Sequence, residues 1–229
     1  MSQQIRGQDS ASVAGTTAQV SSSGAVNTVT QGPDIGSVGS RNMVTTRSGV
    51  LATIAAVTAS AGHLWALKNA TATATKLILV HRLTVRFRPT VAATVAQQLG
   101  LCVFRATAFT TQHNTGGALV SFTTPQAKMR TSLPLTEATV YASDSTTAIS
   151  GGTLTIDTLP LFEQRDWNLA SGATVPFPLI DFTLDFKERP LVLAQNEGLV
   201  VANTVLFANS LAGPLNVTCE WSDVASYGQ

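Results

Sequence analysis

Leu77, Leu79, His81, Leu83, Val85 and Phe87 recur at every second position, with Ile78, Val80, Arg82, Thr84, Arg86 and Arg88 between them. That period of two is the tightest constraint in the chain. Successive side chains of an extended backbone point to opposite faces, whereas a helix needs apolar residues about every three to four positions. The run from Lys76 to Arg88 is therefore a strand, with the first set facing a core. Asp181 to Glu188 alternates in the same way, Phe182, Leu184 and Phe186 against Asp181, Thr183, Asp185 and Lys187. Leu215, Val217, Cys219 and Trp221 share a face opposed to Asn216, Thr218, Glu220 and Ser222, which places a closing strand near the C-terminus.

Further strands are expected at Val50–Val57, Leu64–Asn69, Gln98–Thr107, Thr139–Ala142, Thr153–Leu159, Leu191–Ala194 and Leu199–Phe207. Turn-forming clusters punctuate them: Ala61-Gly62, His113 to Gly117, Ser150 to Gly152, Asn196 to Gly198 and Ala212 to Pro214. Pro125 and Pro134 confine Gln126–Ser132 to a single helical turn. The expected class is all-β, an antiparallel β-sandwich of two sheets. A count near eight strands favours a jelly-roll over an immunoglobulin-like sandwich, which would place a Trp between two Cys; here Trp221 follows both Cys102 and Cys219.

Residues 1–47 read differently. They are rich in Ser, Thr, Gln, Ala and Val, and from Ser10 to Pro33 they carry no charge. Such a ribbon cannot build a core of its own, and without charge it is not held away from other chains. It is expected to be an extended assembly arm, with Val13, Val20, Val26, Val29 and Ile35 as its apolar contacts, ahead of a sandwich domain over 48–229. Ordering such an arm costs roughly 45 to 90 kcal/mol of backbone entropy, which burial against something else must offset. Extended, it reaches about 150 Å, far enough to cross onto neighbouring subunits.

Composition narrows the function. Charged residues make up 12% of the chain and the formal net charge is +1, against about 25% charged in an ordinary soluble domain. A surface so weakly charged opposes self-association little. It also lacks the clustered Lys and Arg that phosphate backbones require, so nucleic acid is not an expected partner. There is no apolar run long enough for a spanning helix and no signal-like N-terminus, so no membrane is expected either, and synthesis is expected in a cytoplasm. Cys102 and Cys219 sit in apolar runs and read as buried free thiols. The sequons at Asn69 and Asn216 read as chance matches in a Thr-rich chain.

The run Gln195-Asn196-Glu197-Gly198-Leu199-Val200-Val201-Ala202-Asn203, then Gly213, then Val217 to Val224 with Glu220-Trp221 inside it, resembles the ending of many small tailed-phage virion proteins. Leu64 to Asn69 and His81 to Val85 are similar to early strands of that group. The likeness covers about a third of the chain. It implies a β-sandwich subunit of a bacteriophage particle: a capsid decoration or cement protein, or alternatively a tail component that binds a receptor or glycan. Expected partners are copies of itself, most simply a homotrimer, and other virion proteins such as a major capsid protein. Cys219 stands where that group carries a hydrophobe.

No catalytic constellation is legible, and none for a cofactor or a metal. Nucleophile elbows, zinc signatures and phosphate loops are missing from the sequence, so the expectation is not an enzyme. His81 reads as a hydrogen-bonded core residue, while His63 and His113, in turns, read as solvated. Asp181 and Asp185 lie about 13 Å apart along their strand, beyond the roughly 5 to 9.5 Å used in glycoside hydrolysis. Together with Arg82, Arg86 and Arg88 they are candidates instead for charge pairing between subunits.

Overall fold

The structure is a computed structural model that describes residues 19–20, 26–27, 41–47, 58, 62–88, 97–122, 135–144, 148–169, 180–186, 189–204 and 214–224. Contacts divide the chain into two units. One comprises Met1–Val38 with Tyr227–Gln229. Its described part is a pair of two-residue strands, β1 (Gln19–Val20) and β2 (Val26–Asn27), antiparallel with Val20 opposite Val26.

The second unit, Gly39–Ser226, is the sandwich. Its strands are β3 (Arg41–Arg47), β4 (His63–Asn69), β5 (Leu77–Phe87), β6 (Gln97–Thr111), β7 (Gly117–Leu119), β8 (Ala138–Ser143), β9 (Thr153–Ile156), β10 (Phe162–Leu169), β11 (Ile180–Asp185), β12 (Leu191–Leu193), β13 (Gly198–Asn203) and β14 (Leu215–Val224). All pairings are antiparallel. One sheet runs β11-β5-β14-β3, with β12 continuing beside β5; the other runs β10-β6-β13-β4-β8-β7, with β9 on β6. Setting aside the hairpin strands β7 to β9 and counting β12 with β11, the order β3-β14-β5-β11 faces β4-β13-β6-β10. That is the jelly-roll connectivity of two interlocked Greek keys. The all-β sandwich expected from the period of two is what the chain forms.

One core fills the space between the sheets. Val85, Phe87, Ile180, Phe182, Val217, Cys219 and Trp221 of the five-stranded sheet meet Trp65, Leu67, Leu101, Val103, Leu199 and Val201 of the seven-stranded one. The alternating residues of the seven-stranded sheet do not reach solvent. Ala66, Cys102, Phe104, Ala106, Val200 and Ala202 build a second apolar layer on its back, with Phe109, Tyr141, Ile149 and Leu154. The sheet is covered on both faces, which is why β13 reads Leu-Val-Val-Ala without alternation and is buried at all six positions. Both thiols are free and buried, and burial pushes Cys102 up to about 12 and Cys219 higher still.

The strict alternation read over Lys76–Arg88 fails at one residue. Glu220 pairs with Arg82 but Trp221 pairs with Val80, so His81 is an extra residue on β5, a bulge. The bulge shifts the phase: Ile78 and Val80 enter the core with Leu83, Val85 and Phe87, while Leu79 is buried outside that cluster. Strands β3 and β10 were not anticipated. The candidate strand Val50–Val57, the turn Gln126–Ser132 and the distal end of Leu199–Phe207 lie outside the described residues.

Gly198 opens β13 against both neighbours at once. A Cβ there would lie 2.2 Å from the carbonyl oxygen of Leu67 and 2.8 Å from Phe109 Cδ1. A backbone oxygen in a paired strand cannot step aside. Gly198→Ala is expected to lower stability by about 1–3 kcal/mol or more, read as a shift in the urea midpoint; an unchanged midpoint would mean the two strands have room to separate.

Candidate functional site

The outward face of the five-stranded sheet carries the residues expected to pair charges between subunits. Register sets them in rows. Asp185, Arg82, Glu220 and Met43 form one row across β11, β5, β14 and β3; Thr183, Thr84, Thr218 and Thr45 form the next; Asp181, Arg86, Asn216 and Arg47 form the third. Directly opposed side chains on one sheet face interact across the strands. Arg86 Nε accordingly donates to Asp181 Oδ1 at 3.0 Å, and the hydroxyls of Thr84 and Thr183 are 3.0 Å apart. Met43, Arg82, Thr84, Arg86, Thr218 and Glu220 line a shallow hollow of about 190 Å³ in this face. Arg88 follows the strand, its side chain exposed and its N–H donating to Pro214 O at 3.3 Å.

The structure thus brings Arg82, Arg86, Asp181 and Asp185 onto one face and satisfies Arg86 with Asp181 inside the chain. Those two side chains are 58% and 42% exposed, so solvent screens their attraction and the pair contributes about 0–1 kcal/mol. It fixes register more than it adds stability. Register sets Asp181 opposite Arg86 and Asp185 opposite Arg82.

A denser polar cluster, which sequence reasoning missed, closes the end of the sandwich at the β12–β13 turn. Asn196 there has a positive φ of 60°. Arg105 Nη2 donates to Glu197 Oε2 at 2.9 Å and to Val192 O at 3.0 Å, and the same carboxylate accepts the N–H of Ala194. Around it the backbone is stitched to two other strands: Phe109 N–H to Asn196 O, Asn196 N–H to Asn69 O and Asn69 N–H to Glu197 O. The side chain of Asn69 donates to Leu193 O and Lys76 O and accepts from Thr71 N–H. Asn69 is 1% exposed, so its sequon is closed in the folded chain. The available signal was Arg105 standing alone in an apolar strand with Glu197 in the turn that follows β12.

The histidines require a correction. His81 is buried and hydrogen-bonded to Ser222 Oγ at 2.9 Å, as a buried histidine requires. His63 and His113, read as solvated, are instead 0% and 3% exposed. Both belong to the layer behind the seven-stranded sheet. His63 Nδ1 lies 2.9 Å from His113 Nε2, and the His113 ring meets Phe109 edge to face and stacks with Tyr141 at 6.4 Å between centres. The turn composition around them signalled polarity, but the second apolar layer that covers them has no local signature. Lys68 joins the same layer: its Nζ donates to Thr110 O at 2.7 Å, lies 5.8 Å from the Phe109 ring centre, and is lowered below the usual lysine range by burial.

Of the arm residues, Val20 and Val26 pair with each other in β1–β2; Val13, Val29 and Ile35 lie outside the described residues. Among the described residues no group of three His, Cys, Asp or Glu side chains is placed to hold a metal ion, and no helix is long and apolar enough to cross a membrane.

No family model matches the chain, and no curated protein does. Among solved structures it is similar to the VP1 pentamer of human polyomavirus 6, at 9% identity and a TM-score of 0.29, over 80% of this chain and 95% of that one. A likeness at that score carries no argument. The jelly-roll assignment rests on the strand order itself.

The two ion pairs separate burial from exposure. Glu197→Gln keeps the shape of the turn but removes the charge that Arg105 and Ala194 N–H address, and is expected to cost about 1–2 kcal/mol. Arg86→Ala is expected to cost about 0–1 kcal/mol. Urea unfolding followed by tryptophan fluorescence measures both; equal losses would show that the turn cluster does not organise the sandwich end.

Proposed function

We propose that this chain is a non-enzymatic structural subunit of a virus particle, a capsid decoration or cement protein of a bacteriophage, whose N-terminal arm binds neighbouring subunits. One observation carries the reading. The sandwich closes a complete jelly roll within Gly39–Ser226, so the preceding 38 residues are not needed to finish its core. Those residues include the uncharged stretch from Ser10 to Pro33 and lead directly into β3, the edge strand beside β14. A long apolar-dotted segment that its own domain does not require is suited to other chains.

The outward rows of the five-stranded sheet support the same reading at lower weight. Arg82 and Arg88 extend the basic stripe beyond the Arg86–Asp181 pair, and a homotrimer is the proposed local unit, seated on a major capsid protein. Receptor binding by the loops at 112–118 and 144–152 has less support. Neither contains Phe, Trp or Tyr for stacking on a sugar, and backbone bonds tie them together, Ser150 N–H to Thr115 O and Asn114 N–H to Ser150 O.

Deleting residues 2–38 tests the arm. The shortened chain is expected to melt as the full chain does, since the sandwich is intact, yet to sediment as a monomer where the full chain sediments as an oligomer, and to fail to join particles. A shortened chain that still oligomerises and incorporates removes the arm from assembly.

A further inference from the structure

The His63–His113 pair sits in a chain of hydrogen bonds whose ends are both fixed acceptors. His63 Nε2 lies 2.8 Å from Thr58 O, a carbonyl, and must carry a hydrogen there. At the other end His113 Nδ1 lies 3.1 Å from Gln112 Oε1. The orientation of that amide is set independently: Oε1 accepts the His113 backbone N–H at 2.9 Å, while Nε2 donates to Thr139 O at 3.1 Å. Turning the amide over would oppose donor to donor and acceptor to acceptor. The Nδ1 of His113 must therefore also carry a hydrogen.

The link between the rings, 2.9 Å from His63 Nδ1 to His113 Nε2, needs a third. Two neutral imidazoles hold two ring hydrogens between them. Satisfying all three links takes three, which is the pair with one added proton shared across it; the neutral pair, with two hydrogens, makes two of the three links. A fourth hydrogen turns the central link into two N–H groups facing each other on two cations, which must separate.

We propose that His63 and His113 form an acid-sensitive latch, which holds the layer behind the seven-stranded sheet closed while the pair carries at most one added proton and releases it when both rings are charged. What it fastens is specific. The carbonyl of His63 accepts Ile149 N–H, and Asn114 and Thr115, just beyond His113, bond to Ser150. Gly152 presses on the His113 ring, where a Cβ would lie 3.2 Å from the ring carbons. Opening the pair would free the turn after β6 together with the approach to β9, uncovering Phe104, Phe109, Tyr141 and Leu154.

The surroundings favour the uncharged rings. Among the described residues the ionisable groups of this layer include Tyr141, whose hydroxyl donates to Gly117 O and on which Asp144 acts, Lys68 beside Phe109, and Cys102, a thiol pushed up to about 12 by burial. Burial holds both rings below the ordinary histidine value, and burial with the neighbouring His63 takes His113 to about 4. The sign follows. As pH falls through about 6.5, an opened pair takes up two protons while the closed pair holds at most one, so the closed layer loses stability from there down toward about 4.

Hydrogen exchange of the full-length protein, compared between about pH 7 and about pH 4.5 and corrected for intrinsic rates, tests the latch. The amides of Asn114, Thr115, Ile149 and Ser150 are expected to exchange at least about tenfold faster at the lower pH relative to those of β13 and β14. His113→Gln and His63→Gln are expected to abolish that difference. The same acceleration in both variants, or none in the wild-type protein, overturns the proposal. Should neither variant fold, ring ¹⁵N spectra of the wild-type protein decide: two coupled steps support the latch, and two independent titrations at ordinary histidine values sink it.

Discussion

The rest of the sandwich depends on β13 being buried on both sides. A strand with no solvent face can satisfy its amides only through neighbours, and β13 does so with β6 across its whole length and with β4 from Gly198 to Ala202, Asn203 N–H reaching Gly62 O just before β4. Side chains then sort by layer thickness. Toward the partner sheet stand Trp65, Leu67, Val103, Leu199 and Val201; toward the back stand Ala66, Cys102, Ala106 and Ala202. Small residues on the back let an irregular covering of turn and short strand come close, and Phe104, Phe109 and Tyr141 fill what remains. The covering is thin, and its polar members had to be paired internally.

That arrangement explains where the sequence was readable. Half-buried strands such as β11 and β14 alternate, so Phe182, Leu184, Cys219 and Trp221 could be assigned to a face from spacing alone. The continuous run at Leu199–Ala202 could be recognised as a strand, but nothing local said that its second face was also covered. His63 and His113 were misplaced for that reason. A histidine beside Gly62 or beside Asn114 sits in turn-forming sequence whether or not a second layer folds over it, and only long-range contact decides. The bulge at His81 was hidden likewise, because one extra residue in a ladder is visible only from the partner strand.

The polar clusters divide by exposure. On the outward face of the five-stranded sheet, charges and threonines face one another in register, and water competes for each of them. At the β12–β13 turn Asn69 is buried and Arg105 and Glu197 are partly so, and all three reach backbone groups: Asn69 donates to Leu193 O and Lys76 O, Arg105 to Val192 O, and Glu197 accepts from Ala194 N–H. Such groups are costly to leave unmatched, so the bonds they make favour the geometry that keeps them paired. The alternating face was legible as a candidate because the charges of each strand fall at even spacings, Arg82, Arg86 and Arg88 on one and Asp181 and Asp185 on another; Arg105 and Glu197 stand singly in their segments, and only the jelly-roll connectivity brings them together.

The closed sequon at Asn69 bears on how the protein can be made. Its amide nitrogen, the atom a sugar would occupy, is the donor to Leu193 O and Lys76 O. A glycan attached to the nascent chain in a secretory compartment would therefore occupy the seam between the end of β4 and β12 before those strands had met. Production through a glycosylating export route is incompatible with this sandwich unless that asparagine escapes modification, whereas a route without oligosaccharide transfer leaves the seam free to close.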